Sequence, residues 1–258
     1  MTVDKLKRGM EARSAALLQS IEGGLDKILQ CWLLLAGLAT TARIATAPVQ
    51  AGAGDFSAVA PYVLLVVAPF ASTLLALRWF ADGDLQPQPT TRLARLGRWR
   101  TVDRQEAHTH PLYGTSGLMV SLLVGMMLNV PFRAMEFLAA TPPIPRVAPD
   151  WLLMLHAAMT FDVVLFTSLY MIAFVAALRR VPLFPRLLVA IWICDLGTQL
   201  MIAQLVVGAG GLPDTVAGAL HGLLDGNIKK VLISAALWLP YLLLSTRVNL
   251  TYRSRVPA

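Results

Sequence analysis

His221, Asp225 and Lys229 stand four residues apart, so a helix through them aligns an imidazole, a carboxylate and an ammonium on one face. Asp225 can pair with either neighbour, and such a row suits holding a proton or a small ion. Further polar residues interrupt equally apolar surroundings: Arg43, then Asn129, Arg133 and Glu136, then His156 and Asp162, then Asp195, Gln199 and Gln204. An ionisable residue at the centre of a spanning helix costs about 2.5–3.5 kcal/mol on insertion scales and marks a candidate site by default. The signs are mixed, with Arg43, Arg133 and Lys229 set against Glu136, Asp162 and Asp225. Two readings stay open. One is an outward-facing polar pocket for a ligand, ion or proton; the other is an internal ion-pair network that only fixes helix register.

Other chemistry finds less support. His156 and His221 lie on different apolar stretches at similar depth, an arrangement that a bis-histidine haem would need. His108 and His110 read as surface residues before Pro111, and Met119, Met126, Met127 and Met135 as core filling. Asp82-Gly83-Asp84 reads as a helix-ending turn. The chain has no His-Glu-x-x-His, no phosphate-binding glycine loop and no supported Ser-His-Asp ordering. Cys31 and Cys194 lie inside apolar stretches without metal-ligand spacing, so no disulfide is expected. The expectation is a non-enzymatic protein that assists or regulates a membrane complex, or alternatively a small ion- or proton-coupled transporter, with no catalytic residue, cofactor or metal.

The elements that carry these residues are six apolar stretches, at Leu29–Val49, Val59–Phe80, Leu112–Phe132, Leu152–Leu178, Leu187–Val207 and Val231–Leu244. About 20 apolar residues span the hydrocarbon core, and without water there only hydrogen-bonded helices are stable. Of 258 residues 56% are hydrophobic and 14% charged, against about 25% charged in soluble domains. The predicted fold is an all-α polytopic bundle of six transmembrane helices. Residues 1–27 read as a polar cytoplasmic helix with a stripe of Leu17, Leu18, Ile21, Leu25 and Ile28. Residues 28–258 then form the membrane domain, with a basic cytoplasmic loop at 81–111. Ala-Thr-Ala and Ala-Gly-Ala follow the first stretch, but the long mixed-charge leader and Arg43 favour a retained span over a cleaved signal.

Charge sets the orientation. All of the 22 basic residues except Arg43, Arg133, Arg146, Lys229 and Lys230 fall on the side that carries both termini. Lys and Arg stay cytoplasmic, so the reading is N-in and C-in at a bacterial inner membrane. A helix capped by Thr90 or Thr91 is predicted through Arg100, with Leu93, Leu96 and Trp99 on one side and Arg92, Arg95 and Arg98 on the other. It suits anionic lipid headgroups, or equally a solvated basic loop, and not nucleic acid. Pro142, Pro143, Pro145 and Pro149 predict a stiff outer connection, and Pro61, Pro69, Pro131 and Pro240 predict kinks or span ends. Gly117, Ser121 and Gly125 at four-residue spacing form a small-residue face, for the bundle core, a homo-oligomer or a membrane-protein partner.

The run from Ala236 to Tyr252 resembles the closing signature of a family of small bacterial inner-membrane proteins catalogued as a domain of unknown function. The matching positions are Pro240, Tyr241, Ser245, Arg247, Val248, Thr251 and Tyr252, with Asn249 where that family usually has lysine. Ala177–Leu187 is similar to the family's basic, proline-bearing hinge. Its Gly-Gly-Trp-Leu opening is split here into Gly23-Gly24 and Trp32-Leu33. The resemblance covers about residues 155–253, and two spans near 56–138 stand as an addition to the family's usual four. It implies an inner-membrane location and a cytoplasmic C-terminus, with no activity attached; by its place at the inner end of the last span, Arg247 is expected to meet lipid phosphates.

Overall fold

The structure is a computed structural model that describes residues 2–46, 56–90, 93, 96–141, 144, 148–208 and 213–258. Its helices are α1 (Thr2–Ala45), α2 (Phe56–Trp79), α3 (Arg104–Thr109), α4 (Leu118–Ala140), α5 (Asp150–Leu178), α6 (Phe184–Gly208), α7 (Asp214–Leu244) and α8 (Thr246–Arg253). Six of them, α1, α2 and α4 to α7, are long and apolar enough to cross a membrane. The chain is a multi-pass helical membrane protein. Two short strands, β1 (Trp99–Thr101) and β2 (Arg255–Pro257), pair antiparallel with Arg100 opposite Val256.

The predicted stretches shift where local chemistry differs from hydropathy. The third apolar stretch becomes α4, which starts at Leu118 rather than Leu112, because Gly114 and Gly117 adopt positive φ and Gly117 caps it. It then runs on through Arg133 to Ala140, so the charged residue lies inside the helix. The sixth helical region, expected to begin near Thr215, starts at Asp214, so His221, Asp225 and Lys229 belong to the same helix as Val231–Leu244. The polar segment and first apolar stretch are one continuous helix, α1. At about 1.5 Å per residue it measures about 66 Å, roughly twice the hydrocarbon thickness.

Helix α5 occupies the centre, packed by α2, α4 and α6; α1 lies against α2 and α4, and α7 against α6. Phe166, Tyr170, Phe174, Leu188, Ile191 and Trp192 form one core, and Tyr62, Leu65, Phe137, Met159 and Val163 a second. Outside these, Leu34, Leu35, Phe132, Ile193, Ile233 and Leu237 are exposed, the surface expected of helices that meet lipid tails.

The interfacial helix expected up to Arg100 does not form at its C-terminal half. Gly97 has φ +80°, and Trp99–Thr101 is strand β1 instead. Pairing with the C-terminal tail satisfies a backbone that a helix would have satisfied internally. Arg92 and Arg95 of that stretch lie outside the described residues, as do Pro142, Pro143 and Pro145 of the outer connection. Val102, Ala107 and Leu250 close a small cluster beneath the strands, so loop and tail fold as one cap.

Candidate functional site

Four of the sequence-predicted residues converge in the middle of the bundle. Arg133 of α4 donates to both carboxylate oxygens of Asp195 on α6, Nη1 to Oδ2 at 3.1 Å and Nη2 to Oδ1 at 2.7 Å. Asp162 of α5 lies 3.8 Å from the same Nη2 and accepts from Gln199 Nε2 at 2.7 Å. Gln199 is one turn beyond Asp195 on α6, so one helix face supplies both. All four are buried, Asp195 and Gln199 at 1% exposure. A bidentate guanidinium–carboxylate pair is the strongest arrangement of its kind, and in low dielectric it holds only with its remaining atoms satisfied.

Three residues that the sequence reading passed over complete the network. Tyr170 donates its hydroxyl to Asp195 Oδ2 at 3.2 Å, and Asn227 donates to Gln199 Oε1 at 3.3 Å. The Phe166 ring lies beneath the Arg133 guanidinium, 4.9 Å from its centroid. Asn227 was discoverable. Leu220, Leu224, Asn227 and Val231 are the buried positions of the first half of α7, and their 4-3-4 spacing is that of a core-facing helix stripe. The His221, Asp225 and Lys229 row lies on a different side of the same helix.

That row is not brought to the site. Asp225 and Lys229 pair with each other at 2.6 Å on an exposed face, and His221 meets the carbonyl of Ala217 at 3.2 Å. The packed face of α7 is set by its apolar stripe, which turns these charges away. Glu136 does join the neighbourhood, through an ion pair with Lys230 across from α4 to α7. His156 is buried elsewhere, between the rings of Tyr62 and Phe137, with Nε2 unpartnered among the described residues. Arg43 is half-buried near Tyr62 at the end of α1.

A cleft of about 320 Å³ opens between α4 and α7 onto this network. Arg133, Tyr170 and Asp195 are among the residues that line it, with Asn129, Glu136 and Lys230. A second void of about 10 Å³ borders Arg133, Asp162 and Asn227, on the scale of a single water. Gly125 faces the cleft, and a Cβ there would meet nothing within 4 Å. On the small-residue face of α4, Gly117 donates to Ser14 Oγ of α1 at 2.9 Å, whereas Gly125 makes no close helix contact among the described residues.

The headgroup candidates divide. Arg98 is exposed. Arg247 turns into the protein, donating to Ser116 Oγ at 2.5 Å and facing Glu11 at 3.9 Å, with 13% of its side chain exposed. Its neighbours in the C-terminal run act alike. Thr251 exchanges two hydrogen bonds with the backbone of Gly114, and Tyr252 donates to the carbonyl of Ala177 at 2.9 Å. Arg180 lies over the Tyr113 ring at 5.6 Å. Burial pushes the Tyr113 hydroxyl's pKa up, against the opposing pull of Arg180. The run thus ties α8 to the loop before α4 and to the hinge after α5. Comparison with family profiles, curated proteins and solved structures returned no match.

Proposed function

We propose that the chain is a non-enzymatic protein of a bacterial inner membrane, with both termini cytoplasmic, that binds and exchanges a proton or small cation at Asp162, as a coupled carrier does. One observation carries this. The buried network holds two carboxylates, Asp162 and Asp195, against one guanidinium, Arg133. Gln199, Asn227 and Tyr170 add no charge, and the Glu136–Lys230 pair at the cleft is neutral in sum. An uncompensated charge away from water is expensive, so one more positive charge belongs there. Asp195 is held by two guanidinium bonds and Asp162 by an amide and a longer ionic contact, so Asp162 takes it. The adjoining cleft offers a route, and the basic residues gathered with both termini support the orientation.

Proteoliposomes with a pH-sensitive dye inside test this under an imposed potassium diffusion potential. Wild type is expected to pass protons or the tested cation, and Asp162→Asn to match empty vesicles. Equal flux from wild type and empty vesicles, over protons and alkali cations alike, would defeat the reading.

A second reading is an assistant or regulator of a membrane complex, in line with the resemblance to the uncharacterised family. It is favoured by Ser121 and Gly125, small and exposed on α4. Among the described residues no helix covers them, so a second copy or another membrane protein fits there. Disulfide trapping from Ser121→Cys in membranes distinguishes a homo-oligomer from a different partner.

A further inference from the structure

Cations gather where the C-terminal tail meets the start of α6. Arg253 ends α8, Arg255 opens β2 and Arg186 lies in the first turn of α6. Tyr252 and Phe184 stack with centroids 5.1 Å apart, which presses the tail against that turn. Arg253 is only 8% exposed. Its Nη1 donates to Asn249 Oδ1 at 2.9 Å, while its Nη2 is enclosed with no hydrogen-bond partner among the described residues.

A buried charged donor without an acceptor is costly. Here the cost is compounded, because the charges acting on Arg253 are Arg186 and Arg255, both cationic. Burial first, and these two neighbours second, lower its pKa to about 10. Arg186 also donates to the Pro182 carbonyl at 3.3 Å, which holds it near the turn. Guanidinium forks match phosphate oxygens in geometry and charge. The site sits at the ends of two candidate spans, with Arg186 in the first turn of the one that begins at Phe184 and Arg253 and Arg255 beyond the one that ends at Leu244.

We propose that Arg253, with Arg186 and Arg255, receives a phosphate group of a phosphate-bearing ligand at this membrane boundary. A phospholipid headgroup and a free phosphate share that chemistry. An anion there satisfies the enclosed nitrogen and relieves the repulsion among the three arginines. It also joins the tail to the hinge, so its occupancy sets how firmly the C-terminal cap closes.

The full-length protein, purified in detergent and stripped of lipid, would be titrated with phosphatidylglycerol, phosphatidylcholine and inorganic phosphate at constant ionic strength. Thermal unfolding reports stabilisation and native mass spectrometry reports bound mass. Wild type is expected to gain a saturable rise in Tm, and Arg253→Gln to need about tenfold more ligand, the usual worth of one charge-assisted contact. A response to phosphatidylglycerol without inorganic phosphate identifies a lipid headgroup; a response to inorganic phosphate identifies a free phosphate. Arg255 is half-buried and outside the α8 core, so Arg255→Gln carries the test if Arg253→Gln fails to fold. Arg13→Gln, exposed on α1, should titrate as wild type. The proposal falls if no probe stabilises wild type, or if both site variants respond as wild type and Arg13→Gln do.

Discussion

Arg133 and Asp195, 62 residues apart in the chain, meet through two parallel hydrogen bonds of 3.1 and 2.7 Å. Hydropathy places the first near the outer end of its span and the second in the inner half of another. The late start of α4 at Leu118 and its extension to Ala140 move Arg133 inward, and its long side chain covers the rest.

Breaking this pair from one side leaves an unpaired buried charge. Arg133→Met is expected to cost about 3–5 kcal/mol, and Arg133→Met with Asp195→Leu to recover most of it. Thermal unfolding in detergent reads both. A double variant as impaired as the single one would show that the two residues do not act as a unit.

The two carboxylates should respond differently to neutralisation. Asp195→Asn loses charged hydrogen bonds and is expected to cost about 1.5–3 kcal/mol. Asp162→Asn removes the excess charge and keeps an acceptor for Gln199, so Tm should hold or rise. Equal losses in both variants would remove the distinction between them.

Tyr252 titrates outside the spans, and burial raises its pKa well above the ordinary 10. Below pH about 10 the hydroxyl is protonated in folded and unfolded chains alike, and its contribution is fully present. Above it the unfolded chain loses the proton first, so stability falls as pH rises. Tyr252→Phe should flatten that alkaline loss and cost about 0.5–1.5 kcal/mol at neutral pH, since Ala177 keeps a bond from Arg180. Melting curves from pH 7 to 11 check both.

Gly83 and Gly125 make a matched pair of tests. A Cβ at Gly83 would fall 2.5 Å from the Arg179 carbonyl oxygen and 2.7 Å from Val181 Cγ2, so Gly83→Ala should cost about 1–3 kcal/mol. Gly125→Ala meets open space within α4 and should be neutral or gain up to about 1 kcal/mol. Their Tm values should therefore move apart.

The cap predicts a cross-link. Arg100 and Val256 are register partners, so cysteines at both, with Cys31 and Cys194 replaced by Ala, should oxidise to a disulfide. Protease cleavage of the intervening chain followed by non-reducing electrophoresis detects it. Cysteines placed at Arg98 and Val256, two residues out of register, should link more slowly.

Six helices, a multi-pass membrane class and the identities of Arg133, Asp162, Asp195 and Gln199 as the residues to watch were legible in the sequence. Each follows from a local rule, since an apolar run must be a helix in lipid and a charge inside it must find a partner. Which charges pair was not legible, because pairing depends on how each helix is rotated and how far it slides. The row at His221, Asp225 and Lys229 was conspicuous in spacing yet faces away, while Asn227 was inconspicuous and faces in. The deciding quantity was the apolar stripe of α7, which buries Leu220, Leu224 and Val231 and carries Asn227 with them. The C-terminal run was visible as a pattern, but its contacts with Gly114, Ser116 and Ala177 arise only when distant loops meet. Local sequence determined which segments cross and which residues had to be satisfied there. Tertiary packing decided the partners, because helix rotation and register are set by contacts summed over every neighbour at once.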